Sequence, residues 1–304
     1  MPYRIISFDG GGVRGAYSAR LIARLAQAVP GFIDRSDLLA GTSTGGIIAL
    51  GLAAGLTSND LTVLYRDKAK KIFDRSFTRD LAVLHGLRGA DYSNKGLLAE
   101  LTGIFGGKRL KDLHKRVLIP SFQLDNGDPD ASRRQWKSKF FHNFPGPDSD
   151  GEELAVEVAM RTSAAPVYFP SRGEFIDGGV VANDPSMAAL CQSLNQNGAQ
   201  QALTDVRLFS LGTGRNAVFI QGRDLDWGLA EWARPLVNLM IDGVMGVAEY
   251  QCATLLGDHY CRLQPLLPKP IALDDAAVTN ELIGYADEVN LSGAVAWLQR
   301  NFTN

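Results

Sequence analysis

The chain has 304 residues, of which 45% are hydrophobic and 21% charged, and its formal net charge at neutral pH is −2. This composition is typical of an ordinary globular protein, and it excludes both a strongly basic nucleic-acid-binding protein and an acidic disordered one. The three cysteines, Cys191, Cys252 and Cys261, form no C-x-x-C pair. Neither a disulfide framework nor a zinc knuckle is therefore predicted.

The N-terminus enters a strand-like run at once, without the apolar segment of a signal peptide. No apolar run reaches the ~18 residues that a membrane-spanning helix needs. We therefore expect a cytoplasmic protein without transmembrane segments.

Short β-rich runs alternate with helical patterns along the chain. Strands are predicted at 3–8, 37–40, 116–124 and 206–214, and helices at 16–29, 47–55 and 152–166. This alternation predicts an α/β fold with a mostly parallel central sheet flanked by helices. Because no repeat or linker divides the sequence, a single domain over 1–304 is expected, with a motif-bearing core at about 3–215 and a helical C-terminal part at about 225–304.

Two stretches lie outside this alternation. Residues 66–95 carry eight Lys and Arg against four Asp, and residues 125–150 mix aromatic with basic side chains. One interpretation is a solvated helix and a surface loop. The other is a peripheral membrane contact with an anionic lipid surface, in which Trp136, Phe140, Phe141 and Phe144 enter the interface.

The motif DGGGVRG (9–15) follows the first predicted strand. Gly10, Gly12 and Gly15 match the G-x-G-x-x-G fingerprint of dinucleotide-binding folds. That fold also needs an acidic residue at the end of the next strand. Asp34 and Asp37 precede that strand instead, which disfavours nucleotide binding.

The same glycines suit a different use. Because Gly10, Gly11 and Gly12 lack Cβ atoms, their N–H groups can converge on a small anion near the positive end of the following helix. Arg14 would add positive charge beside them. The motif thus fits either a phosphate cradle or an oxyanion hole that stabilises a negatively charged reaction intermediate.

The motif GTSTGG (41–46) has the G-x-S-x-G spacing of a serine nucleophile on a strained strand-to-helix turn. Gly41 and Gly45 provide the small neighbours that such a turn requires, and the N–H of Thr44 would point toward the same oxyanion. A hydroxyl is a weak nucleophile, so Ser43 needs a base.

Two residues are candidates for this base. His259 would give the chain order Ser43, Asp177, His259 of α/β-hydrolases. However, the serine turn follows only the second strand here, and His259 opens a predicted strand. The other histidines, His85, His114 and His142, are interpreted as surface or structural. Asp177 is favoured, because burial in the turn FIDGG would raise its pKa toward useful basicity.

The motifs DGGGVRG, GTSTGG, TSAAPVYFP (162–170) and DGG (177–179) resemble, in order and spacing, those of the patatin-like phospholipase family. The run LFSLGTG extends the resemblance past residue 210. It implies a three-layer architecture related to α/β-hydrolases, and a Ser–Asp dyad in which Ser43 is the nucleophile and Asp177 the general base. It also implies an oxyanion hole formed by Gly10, Gly11, Gly12 and Arg14. The residues that would support these motifs are Asp9, Gly15, Gly41, Gly45, Gly178 and Gly179.

The predicted function is that of a serine lipid acyl hydrolase, which cleaves fatty acyl esters of phospholipids or glycerolipids at a membrane surface. No metal, organic cofactor or nucleic-acid partner is predicted. Two alternatives remain open. One is a general carboxylesterase or lysophospholipase with the same dyad, and the other is a non-catalytic module that binds nucleotides or lipids through the glycine turns.

Overall fold

The computed structural model describes residues 1–72 and 90–303. In this part of the chain seven strands form one sheet: β1 (Tyr3–Phe8), β2 (Leu38–Gly41), β3 (Arg116–Gln123), β4 (Lys137–His142), β5 (Phe175–Asp177), β6 (Val206–Leu211) and β7 (Tyr260–Leu263). The helices before β5 are α1 (Gly15–Ala28), α2 (Thr44–Ala53), α3 (Ser58–Ile72), α4 (Asn94–Phe105) and α5 (Ala155–Thr162). Those after it are α6 (Gly179–Ala182), α7 (Ser186–Leu194), α8 (Leu229–Leu256), α9 (Thr279–Glu288) and α10 (Ser292–Phe302).

The sheet has the strand order β4-β3-β2-β1-β6-β7, with β5 paired to β3. The pairs along β3-β2-β1-β6-β7 are parallel, whereas β4 and β5 run antiparallel to β3. The predicted α/β class with a mostly parallel sheet is confirmed, and two antiparallel strands complete it.

Strand β3 positions β2 and β5, the two strands that lead into the candidate site. It pairs with β2 at Arg116–Leu118 and, farther along, with β5 at Ser121–Gln123. Since β4 occupies its other edge, β2 and β5 must lie end to end along the same edge. The C-terminal ends of β2 and β5 therefore meet.

Two hydrophobic cores cover the two faces of the sheet. Ile6 and Phe8 of β1 belong to the larger core, which α1, α2 and α3 cover, whereas Ile5 belongs to a smaller core beneath α7 and α8. Because both faces of β1 are buried, apolar side chains lie on both of them, as is usual for parallel strands.

Most of the aromatic side chains in residues 125–150 are too buried to contact a lipid surface. Phe141 is 1% exposed in the larger core and Phe144 is 2% exposed, next to the smaller one. The prediction that both enter a lipid interface is therefore wrong. Phe140 is half-buried, and Trp136 alone of the four is largely exposed. Much of the basic stretch 66–95 lies outside the described residues.

The helix predicted over 152–166 is shorter, because α5 ends at Thr162. Residues 163–170 are irregular, and several of them line the cleft described below. Among the described residues, no helix combines the length and apolarity needed to cross a bilayer.

Candidate active site

Ser43 lies in the turn between β2 and α2 with φ 54° and ψ −124°. A positive φ is unfavourable for a residue with a Cβ atom and costs about 1–3 kcal/mol. The turn is held by Thr162, whose Oγ1 accepts the N–H of Ser43 at 3.0 Å and donates to the carbonyl of Pro120 at 2.6 Å. A strained serine turn of this kind is what the GTSTGG motif predicts.

Two glycines allow close packing around the glycine loop. A Cβ on Gly45, in the serine turn, would lie 2.3 Å from the carbonyl oxygen of Phe8, at the end of β1. Gly12 has φ +56°, and a Cβ there would lie 2.1 Å from the carbonyl oxygen of Leu273. A larger residue at Gly45 would therefore push the serine turn away from the glycine loop, and one at Gly12 would push the glycine loop away from Leu273.

Asp177 ends β5 and lies beside Ser43. Its carboxylate accepts the N–H of Gly179 at 2.7 Å, and it lines the same cleft as Ser43. Burial raises the pKa of Asp177 to about 6, although the neighbouring Ser43 hydroxyl and the Gly179 N–H oppose the rise. The side chain is thus a stronger base than a solvated aspartate.

The predicted oxyanion donors fall into two groups. Gly11, Gly12 and Thr44 line the same cleft as Ser43, and no acceptor for their N–H groups occurs within residues 1–72 and 90–303. Gly10 instead donates its N–H to the carbonyl of Asn183 at 2.9 Å.

Arg14 lies apart from these donors. Its side chain is buried, donates to the carbonyl of Gly214 at 3.2 Å, and does not line the cleft. Burial lowers the pKa of Arg14, and Asp242 and Asp9 oppose that change.

The cleft encloses about 880 Å³, including space that is open to solvent. Apart from the dyad and the loops around it, its walls are mostly apolar, and they include Ile47, Tyr65, Ile72, Leu97, Pro166, Tyr168, Phe169, Val180, Ile241 and Leu273.

A buried charge network anchors the glycine loop from behind. Asp9, the first residue of DGGGVRG, is fully buried and forms a two-pronged ion pair with Arg262 of β7 at 2.7 and 2.5 Å. The same guanidinium lies 3.5 Å from Asp184 and donates to Ser210 at 2.7 Å. Burial and Asp184 raise the pKa of Asp9, and Arg262 opposes that rise.

Sequence reasoning did not identify Arg262, Thr162 or Asn183 as site residues. Thr162 opens the TSAAPVYFP run, so that motif contains a signal for it. Arg262 has no comparable signal, because its partner Asp9 lies at the other end of the chain.

The structure separates the three histidines of its described part from Ser43 and Asp177. His259 immediately precedes β7, and its Nδ1 accepts a hydrogen bond from Arg207 at 3.1 Å. Three strand spacings, or about 14 Å, separate β7 from β2. His142 is buried in β4 beside Phe144, His114 follows α4, and His85 lies outside the described residues.

No group of three or more metal-ligating side chains occurs in the described part of the chain. The candidate site is therefore the serine, the carboxylate and the backbone N–H groups of two loops, at the base of an apolar cleft.

Comparison with known proteins identifies the family. The family model described as patatin-like phospholipase matches residues 6–190. The chain belongs to this family.

Several curated proteins are similar over most of the chain. A cGAMP-activated phospholipase of Pseudomonas aeruginosa is 32% identical over 93% of this chain and 84% of its own length. Protein teg of Priestia megaterium is 29% identical over 99% of both chains. Patatin-like protein 1 of Oryza sativa is 26% identical over 86% of this chain and 73% of its own.

Proposed function

We propose that this protein is a serine acyl hydrolase that cleaves fatty acyl esters of phospholipids or glycerolipids with a Ser43–Asp177 dyad. The observation that supports the proposal best is that Ser43 and the buried Asp177 line the same cleft, where burial raises the pKa of Asp177 to about 6. Nucleophile and base thus lie in one site before any substrate is bound.

The reaction would proceed through an acyl-enzyme. Asp177 accepts the Ser43 proton as Oγ attacks the ester carbonyl, and the N–H groups of Gly11, Gly12 and Thr44 stabilise the oxyanion. Asp177 then protonates the leaving alcohol. It next takes a proton from a water molecule, which attacks the acyl-enzyme and releases the fatty acid.

The other predicted site residues would act through this machinery. The N-terminus of α2 adds its positive dipole at Ser43. Gly10 and Arg14 would support the site without contacting the oxyanion. The Gly10 N–H donates to the carbonyl of Asn183, and Arg14 donates to the carbonyl of Gly214 and does not line the cleft. They would keep the glycine loop in place, and Arg14 would add its positive charge.

The apolar walls of the cleft favour an apolar acyl chain as the bound group. A long chain packed against Ile47, Leu97 and Phe169 would leave its ester next to Ser43. Burial of each methylene contributes about 0.8 kcal/mol. Selectivity for long-chain esters follows from this arrangement.

Peripheral contact with a lipid surface is supported by exposed apolar side chains beside the cleft. Val167 is 54% exposed, between the cleft-lining Pro166 and Tyr168. Leu236, Leu239 and Met240 are exposed on α8, directly before the cleft-lining Ile241. These side chains would replace the aromatic segment as the parts that meet lipid.

The proposal is tested by covalent labelling together with fatty-acid release. Wild type should react with a long-chain fluorophosphonate and release fatty acid from phospholipid vesicles. Ser43→Ala should do neither, because it lacks the nucleophile. The matched control Ser292→Ala, which is exposed at the start of α10, should behave like wild type.

Other outcomes separate the alternatives. Labelling at Ser43 with hydrolysis of soluble short-chain esters, but not of vesicles, would indicate a carboxylesterase. Absence of labelling and of hydrolysis of either ester would favour a binding module and contradict the proposal.

The pH dependence should report the pKa of Asp177. The base must be ionised, so we expect kcat/KM to fall about tenfold per pH unit below pH 6 and to level off above it. Hydrolysis of a soluble ester between pH 4.5 and 8 measures this profile. His259→Ala should keep the same inflection, and an inflection that disappears in this variant would contradict an aspartate base.

A further inference from the structure

A tyrosine of α3 is hydrogen-bonded to the residue that follows the candidate nucleophile. The Tyr65 hydroxyl donates to the main-chain carbonyl of Thr44 at 3.0 Å, and it also forms a hydrogen bond with Thr44 Oγ1. Tyr65 is 5% exposed and Thr44 is 4% exposed, so water has little access to either. One side chain from a neighbouring helix thus holds both the carbonyl and the hydroxyl of Thr44.

The protons of this pair can be assigned from the chemistry of the two hydroxyls. A phenol carries one proton, and Tyr65 donates it to the carbonyl of Thr44. The Thr44 hydroxyl must therefore donate to the Tyr65 oxygen. Because burial raises the pKa of Tyr65, the phenol keeps its proton at neutral pH. Each hydroxyl then donates once, and the orientation of Thr44 is fixed at two atoms.

Gly15, the last glycine of the DGGGVRG motif, leaves the space that this pair occupies. A Cβ on Gly15 would lie 2.0 Å from Thr44 Oγ1 and 2.8 Å from the ring atoms Cε1 and Cζ of Tyr65. The glycine loop, the serine turn and α3 therefore meet at the Tyr65–Thr44 pair. This close contact gives a physical reason for a glycine at position 15.

Helix α3 is itself held by the two helices that follow the site loops. Thr62, about one turn before Tyr65, donates its Oγ1 hydrogen to the carbonyl of Ala19 in α1 at 3.1 Å. Leu61 packs against α2, where a Cβ on Gly51 would lie 3.0 Å from Leu61 Cδ2. Tyr65 thus projects from a helix that is anchored independently of the serine turn.

The residue held by Tyr65 carries a candidate oxyanion donor. Thr44 lines the cleft beside Ser43, and its N–H has no acceptor in the described part of the chain. Catalytic donors are sensitive to their placement, and an error of about 1 Å can cost roughly 10²-fold in rate. A side chain that fixes Thr44 therefore affects how well its N–H meets the oxyanion.

We propose that Tyr65 is a positioning residue for the reaction, whose hydroxyl orients Thr44 so that the Thr44 N–H points at the oxyanion. This inference rests on the hydrolase activity proposed above. The ring of Tyr65 lines the cleft, whereas its hydroxyl acts through Thr44.

Tyr65→Phe tests the proposal, because it removes the hydroxyl and keeps the ring. On a soluble p-nitrophenyl ester, kcat per fluorophosphonate-titrated site should fall about 10- to 100-fold, and KM should stay within about twofold. Tyr17→Phe is the matched control and should keep the wild-type kcat, because Tyr17 is buried in the same core but does not line the cleft.

A pair of inhibitors separates the oxyanion from the acyl chain. When a long-chain trifluoromethyl ketone binds, Ser43 Oγ adds to its carbonyl carbon, the proton passes to Asp177 and the carbonyl oxygen becomes negative. The methyl ketone of the same length binds mainly through its chain. In Tyr65→Phe the inhibition constant of the first should rise about tenfold or more, whereas that of the second should stay within about twofold. Damage to the cleft would weaken both.

A double variant shows whether Tyr65 acts through Thr44. Thr44→Val removes the hydroxyl partner and should also lower kcat. Combined with Tyr65→Phe, it should be no slower than Tyr65→Phe alone, because the two changes break the same pair. Multiplication of the two losses would contradict the proposal.

Two further results would overturn the inference in an active wild type: an unchanged kcat in Tyr65→Phe, or equal weakening of both ketones. If Tyr65→Phe does not fold, Thr44→Val decides, since an unchanged kcat and an unchanged trifluoromethyl ketone constant there contradict it. Failure of the proposed function looks different, because the wild type itself would then neither be labelled at Ser43 nor hydrolyse esters.

Discussion

Asp177→Asn is expected to be nearly inactive and yet more stable than wild type. Asparagine retains an oxygen for the Gly179 N–H and fits the same space, but it cannot take the proton of Ser43. Loss of a general base typically costs 10²–10⁴-fold, so we expect hydrolysis to fall about 10³-fold. Steady-state assays on a soluble ester measure this loss.

The stability gain has a separate physical cause. Burial raises the pKa of Asp177 from 3.8 to about 6, so its ionised form is unfavourable in the folded protein. This corresponds to about 3 kcal/mol at neutral pH. The penalty is absent below pH 3.8, grows between pH 3.8 and 6, and is complete above that. The asparagine variant should therefore show its largest gain in unfolding free energy above pH 6 and almost none near pH 4.

Asp258→Asn provides a matched control, because Asp258 is exposed. It should change neither activity nor stability by a measurable amount. Retention of more than a tenth of wild-type activity by Asp177→Asn would show that another group is the base. A loss of activity accompanied by lower stability would indicate damage to the fold rather than to the chemistry.

Arg262→Met should have the largest effect on stability. It removes the guanidinium between Asp9 and Asp184 and leaves these two buried carboxylates without their shared ion-pair partner. Breaking a buried ion pair in this way typically costs about 3–5 kcal/mol. Urea unfolding at pH 7 measures the loss, and activity should also fall because Asp9 anchors the glycine loop.

Two further variants test whether the lost charge causes the lower stability of Arg262→Met. Lys269→Met breaks an ion pair at the surface, in which the side chains of Lys269 and Glu281 are 51% and 36% exposed, and it should cost less than about 1 kcal/mol. Changing Asp9 and Asp184 to Asn together with Arg262→Met should restore most of the lost stability. If this triple variant stays as unstable as Arg262→Met, packing of the arginine stem matters more than its charge.

The elements that follow from local sequence were predicted well. The bounds of β1 match the prediction because its residues are apolar on both faces. The serine turn was foreseen because the small neighbours that it requires, Gly41 and Gly45, lie next to Ser43 in the chain. Both signals are contained within a few residues, where sequence patterns are most informative.

The missed features depend on partners that are distant in the chain. β5 has only three residues, too few for any periodicity, and it is a strand because it pairs with β3. The basic and aromatic residues near β4 suggested a membrane contact. In the fold, Lys139 pairs with Asp150 at 2.5 Å and its Nζ lies 5.1 Å from the centre of the Phe141 ring. The charge of Lys139 therefore takes part in contacts within the protein.

Because β2 and β5 pair with the same edge of β3, the position of an inserted residue decides whether it disturbs the candidate site. The turn carrying Ser43 and the strand carrying Asp177 take their positions from a common template. A slip of one residue between β3 and β5 would turn Asp177 to the opposite face of the sheet. By contrast, the exposed connection between β3 and β4 (124–136) leads away from that edge. Extra residues inserted there should leave the separation of the two side chains unchanged, so this connection is a natural place for a reporter domain or an affinity tag.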